Sequence, residues 1–192
     1  MIEKMLNYFN SVHPMSPELS DAVVGITEIN DYPKKTILLK EGQVANHACF
    51  VIKGLARGYY TAGDKEVTRL FMDEGFIITS WLSFYSRQPA HEAIELLEDC
   101  TLACMHHDDL QKIYAAFPEF NILGRKVTEQ FFYFSERRSL MLRRHTAEEK
   151  YQMFVEQYPT LFQRIAQKQI ATYLGISEET LSRVRAKMLK KS

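Results

Sequence analysis

A chain of 192 residues and 22.4 kDa has room for one domain of ordinary size and a small second one. Its hydrophobic content of 46% is that of a globular protein, and no stretch approaches the ~20 apolar residues of a membrane span. The formal net charge of zero hides two opposed parts: residues 1–136 carry 12 Lys+Arg against 19 Asp+Glu, a net −7, and residues 137–192 carry 12 against 5, a net +7. An acidic body with a basic terminal segment is the asymmetry expected when only that segment meets phosphates. The segment from Met1 to Phe9 lacks the cleavable apolar core of a signal peptide, so a cytoplasmic protein with no membrane partner is expected. Three cysteines, an odd number, suit a reducing compartment better than a disulfide framework.

Short helices open the chain. Ser16 as a cap and Pro17 at the first helical position begin a helix expected to run to about Thr27. From Lys35 to Met105 the pattern changes to short strands with turn signals: Thr36–Lys40, Ala48–Lys53, Leu55–Thr61, Lys65–Met72, and later Glu92–Leu97 and Thr101–Met105. The first four recur every ~10 to 12 residues and stop at Gly42, Gly54, Gly63 and Gly75, which indicates a compact all-β sandwich or barrel. Asp108-Asp109-Leu110-Gln111 has the form of a capping box and opens a helix that stops before Pro118.

The longest helix is expected from Glu119 to about Arg144. Leu123, Val127, Phe131, Phe134, Leu140 and Met141 form a broad apolar stripe on it, with Arg138 opposite the gap. The heptad-like run of Leu123, Val127, Phe134 and Met141 favours pairing with a second copy of the helix; packing on its own chain is the alternative. Thr146 and Glu149 form a capping box for a further helix, Ala147 to Gln157, which places a joint near His145. Three parts are therefore expected: a β-domain over 1–118, a long helix and hinge over 119–145, and a terminal helical domain over 146–192.

The terminal part holds the most telling segment, Gln169 to Arg185. Ile170, Leu174, Leu181 and Val184 can bury against one another, Ala171 is small where two helices must approach, and Gly175 can take the left-handed backbone that ends the first helix. Ser177 then caps a second helix, with Glu178 and Glu179 in its first turn opposing the positive end of the dipole. That leaves Glu178, Glu179, Ser182, Arg183 and Ala186 facing outward, as a helix read into the major groove requires. Candidate DNA contacts are Lys168, Gln169, Ser177, Glu178, Glu179, Thr180, Ser182, Arg183 and Lys187, with Lys190 and Lys191 also placed to meet phosphates. The sequence ends at Ser192 directly after this helix, so no wing is expected to follow it.

The order of parts, with Leu39-Lys40-Glu41-Gly42, Phe50-Val51-Ile52-Lys53-Gly54, Ile94-Glu95-Leu96-Leu97-Glu98-Asp99 and Ile170 through Arg185, resembles the Crp/Fnr superfamily of bacterial transcription regulators, in particular its Bacteroidetes branch. The resemblance implies an α+β fold: a jelly-roll-like β-roll of the cyclic-nucleotide-binding type with flanking helices, a long dimerisation helix and a C-terminal helix-turn-helix domain. It also implies a homodimer joined along the long helix, here through Leu123, Val127, Phe131, Phe134 and Met141, and an effector pocket in the β-roll beside that helix. Double-stranded DNA, a second copy of the chain and a small-molecule effector of unidentified chemistry are the partners it implies, with no cofactor.

Two departures from the family pattern stand out. Its cyclic-nucleotide cassette has a Gly-Glu pair and then Arg-Ser or Arg-Thr about ten residues on, whereas Gly75 to Ala90 has no glutamate, and its only arginine, Arg87, is followed by Gln88. A buried cyclic phosphate without its arginine is poorly compensated. Thr79, Ser80, Trp81, Phe84 and Arg87 then mark either a pocket for a larger or more apolar ligand or a site filled by its own side chains. On the reading helix, Glu179 and Arg183 match the family, but Glu178 stands where arginine is usual, so a different operator is expected.

Other chemistries fit poorly. An iron–sulfur cluster normally needs four thiolates. Only Cys49, Cys100 and Cys104 are present, and along a strand Cys100 and Cys104 lie about 13 Å apart. Buried structural cysteines fit better. His106-His107-Asp108-Asp109 is no metal site if adjacent strand residues point to opposite faces, and haem ligation by His47 or His91 has no support. Neither a nucleophile–base pair nor a Gly-rich phosphate loop stands out, so no enzyme is expected. The competing reading is a ligand-binding sensor whose helix-turn-helix touches protein instead of DNA; a β-roll enzyme of cupin type ranks third.

Overall fold

The structure, a computed structural model, describes residues 1–189. The elements in chain order are α1 (Ile2–Val12), α2 (Pro17–Gly25), β1 (Thr27–Tyr32), β2 (Ile37–Leu39), β3 (His47–Lys53), β4 (Ala56–Ala62), β5 (Lys65–Met72), β6 (Ile77–Ile78), α3 (Trp81–Ser86), β7 (Ala93–Leu96), β8 (Cys100–His106), α4 (His107–Ala116), α5 (Pro118–Arg144), α6 (Ala147–Gln157), a 3-10 turn (Leu161–Gln163), α7 (Gln167–Leu174) and α8 (Glu178–Leu189). They form two compact units, residues 1–60 with 70–130, and residues 61–69 with 131 onward.

The first unit is an α+β β-roll with flanking helices. Its strands form two four-stranded sheets, ordered β1-β8-β3-β6 and β2-β7-β4-β5. Strand β3 is buried on both faces, Ala48 through Ile52, and so shows no alternation. Helix α1 covers one of those faces: Met5 and Phe9 are buried, the Tyr8 and Phe50 rings lie 5.5 Å apart, and Lys4 Nζ donates to the Ile52 carbonyl at 3.4 Å. Gly54 turns the chain out of β3 at φ 106°, where a Cβ would fall on Cys100 Sγ and 2.8 Å from the Asp99 carbonyl oxygen. Only glycine meets both demands.

Several expectations are corrected. The helix from Ser16 stops at Gly25, where the Thr27 hydroxyl donates to the Val23 carbonyl at 2.6 Å, and the chain enters strand β1 instead. That strand pairs with β8 from Thr27↔Met105 to Tyr32↔Cys100, yet its Thr-Glu-Ile-Asn-Asp-Tyr sequence has too few apolar residues to announce an edge strand. Asp108 does not cap α4. His106 does, its Nδ1 accepting from the Asp108 N–H at 3.2 Å, while the Asp108 carboxyl is held below the usual range chiefly by the hydrogen bond from His107. All three cysteines are buried, but Cys49 and Cys104, which face each other in the β3–β8 register, form a disulfide. The odd cysteine count argued against one; only the register brings two positions 55 residues apart together. Cys100 hydrogen-bonds to the Leu55 and Glu98 carbonyls.

The second unit is built on α6, α7 and α8. Its core holds Phe154, Tyr158, Leu161, Ile165, Tyr173, Leu174 and Leu181. The three aromatic rings lie 5.3 to 6.2 Å apart. Thr146 and Glu149 form the expected capping box at the start of α6. The tips of β4 and β5 and the second half of α5 belong to this unit.

Candidate nucleic-acid interface and effector site

Helices α7 and α8 are joined by a turn of three residues. Gly175 ends α7 at φ 65°, and the Ser177 side chain accepts the Thr180 N–H at 3.1 Å, capping α8 as expected. Ile170, Ala171, Leu174, Leu181 and Val184 are all buried, which fixes the orientation of α8 about its own axis. The remaining positions face solvent: Ser177, Glu178, Glu179, Ser182, Arg183 and Lys187 are exposed, Thr180 half-buried. On α7, Lys168 is exposed and Gln169 half-buried.

Arg183 sits one turn beyond the first-turn glutamates and is exposed, its Nη2 donating to Thr180 Oγ1 at 3.3 Å. Lys187, another of the expected contacts, is ion-paired with Glu148. Lys190 and Lys191 lie outside the described residues.

Arg138 was noted in the sequence only as standing opposite the gap in the apolar stripe. Arg138 donates to the Tyr173 carbonyl at 2.9 Å and to the Thr68 carbonyl at 3.3 Å, and its guanidinium lies 3.9 Å from the centre of the Tyr173 ring. Burial pushes its pKa down, opposed by Tyr173 and Tyr158. Thr172 on α7 completes the clamp: its Oγ1 accepts the Thr68 N–H and donates to Thr68 Oγ1, both at 3.2 Å. The tip of the β4–β5 hairpin is thereby pinned to the first helix of the turn motif, with hydrogen bonds and a cation–π contact in one small cluster.

The stripe on α5 divides by burial. Leu123 and Met141 are buried within the chain, and Val127, Phe131 and Phe134 are half-buried. At 3.6 residues per turn these five share one face. Of the seam expected along these five, Leu123 and Met141 are covered by the chain's own packing, while Val127, Phe131 and Phe134 keep part of their surface. The opposite face carries Ile122, Phe132, Tyr133 and Leu140, exposed at 39%, 65%, 63% and 49%.

In the segment after Gly75, polar groups are spent on the fold. Arg87 donates to the carbonyls of Ala45 at 2.7 Å and Phe84 at 3.3 Å and to Asn46 Oδ1, tying α3 to the loop before β3. Ser80 Oγ donates to the buried Glu92 carboxylate at 2.7 Å. Arg57 Nε and Nη2 donate to Glu95 Oε2 at 2.9 and 2.7 Å. Trp81 stacks on Tyr85, ring centres 5.8 Å apart, and Phe84 is buried.

A cavity of about 580 Å³ lies in the β-roll. Strands β1, β2, β3, β6, β7 and β8 and the loop around Val44 wall it; none of its residues comes from β4, β5 or α5. Of the five residues expected to form an effector pocket, Thr79 and Ser80 line it, and Trp81, Phe84 and Arg87 do not. Thr79 Oγ1 is itself fully buried and has no hydrogen-bond partner among the described residues. Among the described residues, no group of three or more His, Cys, Asp or Glu could hold a metal, and no helix is long and apolar enough to cross a membrane.

Residues 29–117 match the cyclic nucleotide-binding domain family. Among solved structures, FixK2 from Bradyrhizobium japonicum is similar with a TM-score of 0.72 and 20% identity, covering 86% of each chain. The c-di-GMP-responsive global regulator CLP of Xanthomonas campestris gives 0.72 at 15% identity, over 92% of this chain and 93% of that one. A protein assigned as a transcriptional regulator of the Crp/Fnr family from Eubacterium rectale gives 0.74 at 15% identity, over 96% and 88%. No curated protein matches the chain in sequence.

Proposed function

We propose that this chain, which carries a cyclic nucleotide-binding domain over residues 29–117 and shares its fold with the transcription regulators of the Crp/Fnr family, is itself a sequence-specific DNA-binding regulator. The observation that carries the reading is the pair α7 and α8: a left-handed Gly175, a capping Ser177, a buried inner face, and an outer face on which Ser182 and Arg183 stand exposed. Helix α8 enters the major groove, Arg183 reads a base edge, and Lys168 meets the phosphate backbone. The net +7 of residues 137–192 supplies the field that draws this part to DNA.

The protein acts in the cytoplasm as a homodimer, since two half-sites one helical turn apart require two reading helices. The exposed face of α5 with Phe132, Tyr133 and Leu140 forms the seam. The β-roll serves as the sensor, and the Arg138–Thr68–Thr172 clamp ties the hairpin tip to the reading motif. No reaction is assigned to the protein.

Binding of the full chain to random duplex DNA at graded salt tests the reading. The logarithm of the binding constant should fall linearly with the logarithm of salt, by about 0.9 per phosphate contacted. No binding to duplex at low salt would remove the DNA reading and leave protein contact as the role of α8.

A further inference from the structure

We propose that Cys49 and Cys104 form a reversible thiol–disulfide site, worked by low-molecular-weight thiols and disulfides that reach its sulfurs through the β-roll cavity. The inference rests on the cytoplasmic sensor reading above and gives that sensor an input, the thiol redox state around it.

The pair is placed where a small molecule can meet it. Glu28 of β1 faces Cys104 of β8, Cys104 faces Cys49 of β3, and Cys49 faces Ile78 of β6. Residues directly opposite on neighbouring strands share a face, so these four side chains form one row across the sheet. All four line the cavity of about 580 Å³. The disulfide therefore lies in the cavity wall, with Cys49 and Cys104 6% and 7% exposed. Thr36, Gln43 and Asn46 in the same wall suit a small polar molecule. Cys100 is 2% exposed, lies outside that wall and hydrogen-bonds to two carbonyls, so it takes no part. In the cytoplasm the thiol pool keeps cysteines reduced, and the disulfides that do form there are mostly transient ones with a catalytic or sensing role.

The reaction balances in two exchange steps. A small thiolate attacks Cys104 Sγ in line with the S–S bond. The new bond forms there, the Cys49–Cys104 bond breaks, and Cys49 leaves with the electron pair and takes a proton from water. A second thiolate attacks the small molecule's sulfur in the mixed disulfide, releasing a symmetric disulfide and freeing Cys104, which is protonated in turn. Two small thiols are oxidised and the protein disulfide is reduced; a small disulfide as oxidant drives the reverse. Attack falls on Cys104 because the line of the bond runs out past exposed Glu28 on that side and past buried Ile78 on the other. Among the described residues, no lysine, arginine or aspartate lines the cavity, and Glu28 is its only glutamate. His47, also in the wall, is held below the ordinary histidine value by desolvation and by His106, with Glu28 opposing. At about pH 8 an incoming thiol accordingly meets one negative charge.

Three thiols that differ in charge test this on the folded full chain at low salt: cysteamine, a cation, 2-mercaptoethanol, neutral, and 2-mercaptoethanesulfonate, an anion. Acid quenching, unfolding and alkylation count free thiols by mass, one in the disulfide form and three after reduction. Reduction should be complete with helix content unchanged and at a rate proportional to thiol concentration, and cystamine should re-form the bond. Glu28→Gln, at an exposed position, should slow cysteamine and speed the sulfonate by roughly threefold each and leave the neutral thiol unchanged. Comparing each thiol with itself cancels its own nucleophilicity. A rate independent of thiol concentration would mean that the sulfurs are reached only when the fold opens, and would overturn the proposal. The same change for all three thiols in Glu28→Gln, or no bond re-formed by cystamine, would overturn it too. Titrating a selected duplex against the two forms separates the redox input from the DNA reading. Affinities that differ by at least about fivefold support the input, and equal affinities remove it with DNA binding intact. No binding by either form counts against the DNA reading alone.

Discussion

Thr146 and Glu149 hold each other's backbone at the start of α6: the Glu149 carboxylate accepts from the Thr146 N–H at 2.8 Å, and Thr146 Oγ1 accepts from the Glu149 N–H at 3.3 Å. The Thr146 backbone and hydroxyl keep the Glu149 carboxyl below its usual pKa. A carboxyl lowered by folding stabilises the protein above its unfolded value, about 4.3, and that stabilisation is lost as the pH falls through the folded value. Thr146→Ala removes the capping hydroxyl and should lower the melting temperature at neutral pH. The gap from the unchanged protein should narrow near pH 3. This box was legible from four consecutive residues because both partners lie within one turn. The cap of α4 was not: Asp108 has the right spacing, but His106, the last residue of β8, is already placed to accept the Asp108 N–H. The Cys49–Cys104 disulfide and the Arg138 clamp escaped for the same reason, since each depends on partners far apart in sequence.

Helix α5 shows what periodicity conveys and what it omits. Its length was legible to within a residue, because Pro118 begins it and the capping box of α6 follows its end. Which face meets what was not, since an apolar stripe looks the same whether it packs on its own chain or on another copy. Leu123 and Met141 turn out to lie inside, and the outward stripe, Ile122, Phe132, Tyr133 and Leu140, is interrupted by Glu129, Glu136 and Arg143, which hid it. Scattering should give about twice 22.4 kDa for the intact protein. Phe132→Glu with Leu140→Glu should bring it to the monomer mass without loss of helix content. Phe134→Glu should instead lower stability, because that side chain is half-buried on the inner face. A monomer at tens of micromolar would end the dimer assignment. Strand β1 and helix α3 were missed on other grounds: one is an edge strand with polar sequence, the other only six residues long.

At the scale of the molecule, charge is segregated: residues 1–136 carry a net −7 and residues 137–192 a net +7, the division that the proposed DNA-binding reading calls for. The missing arginine of the nucleotide cassette was legible, and the structure adds that Arg87 and Arg57 are engaged with Ala45, Asn46 and Glu95. Cyclic AMP should accordingly leave the melting temperature unchanged at low micromolar concentration, where a ligand at 100 times its dissociation constant would add ~2.7 kcal/mol. A rise of several degrees would restore the cyclic nucleotide as effector.

The central claim is that α8 reads sequence while its surroundings supply affinity. The most direct test is a titration of Arg183→Ala and Lys168→Ala against a duplex selected from random sequence and against a scrambled one. Arg183→Ala should lose ~1–3 kcal/mol on the selected duplex and little on the scrambled one. Lys168→Ala should weaken both alike and shallow the salt dependence by about one unit. Equal weakening of both duplexes by Arg183→Ala would contradict the placement of α8 in the groove, and no effect from either change would contradict DNA binding by this face.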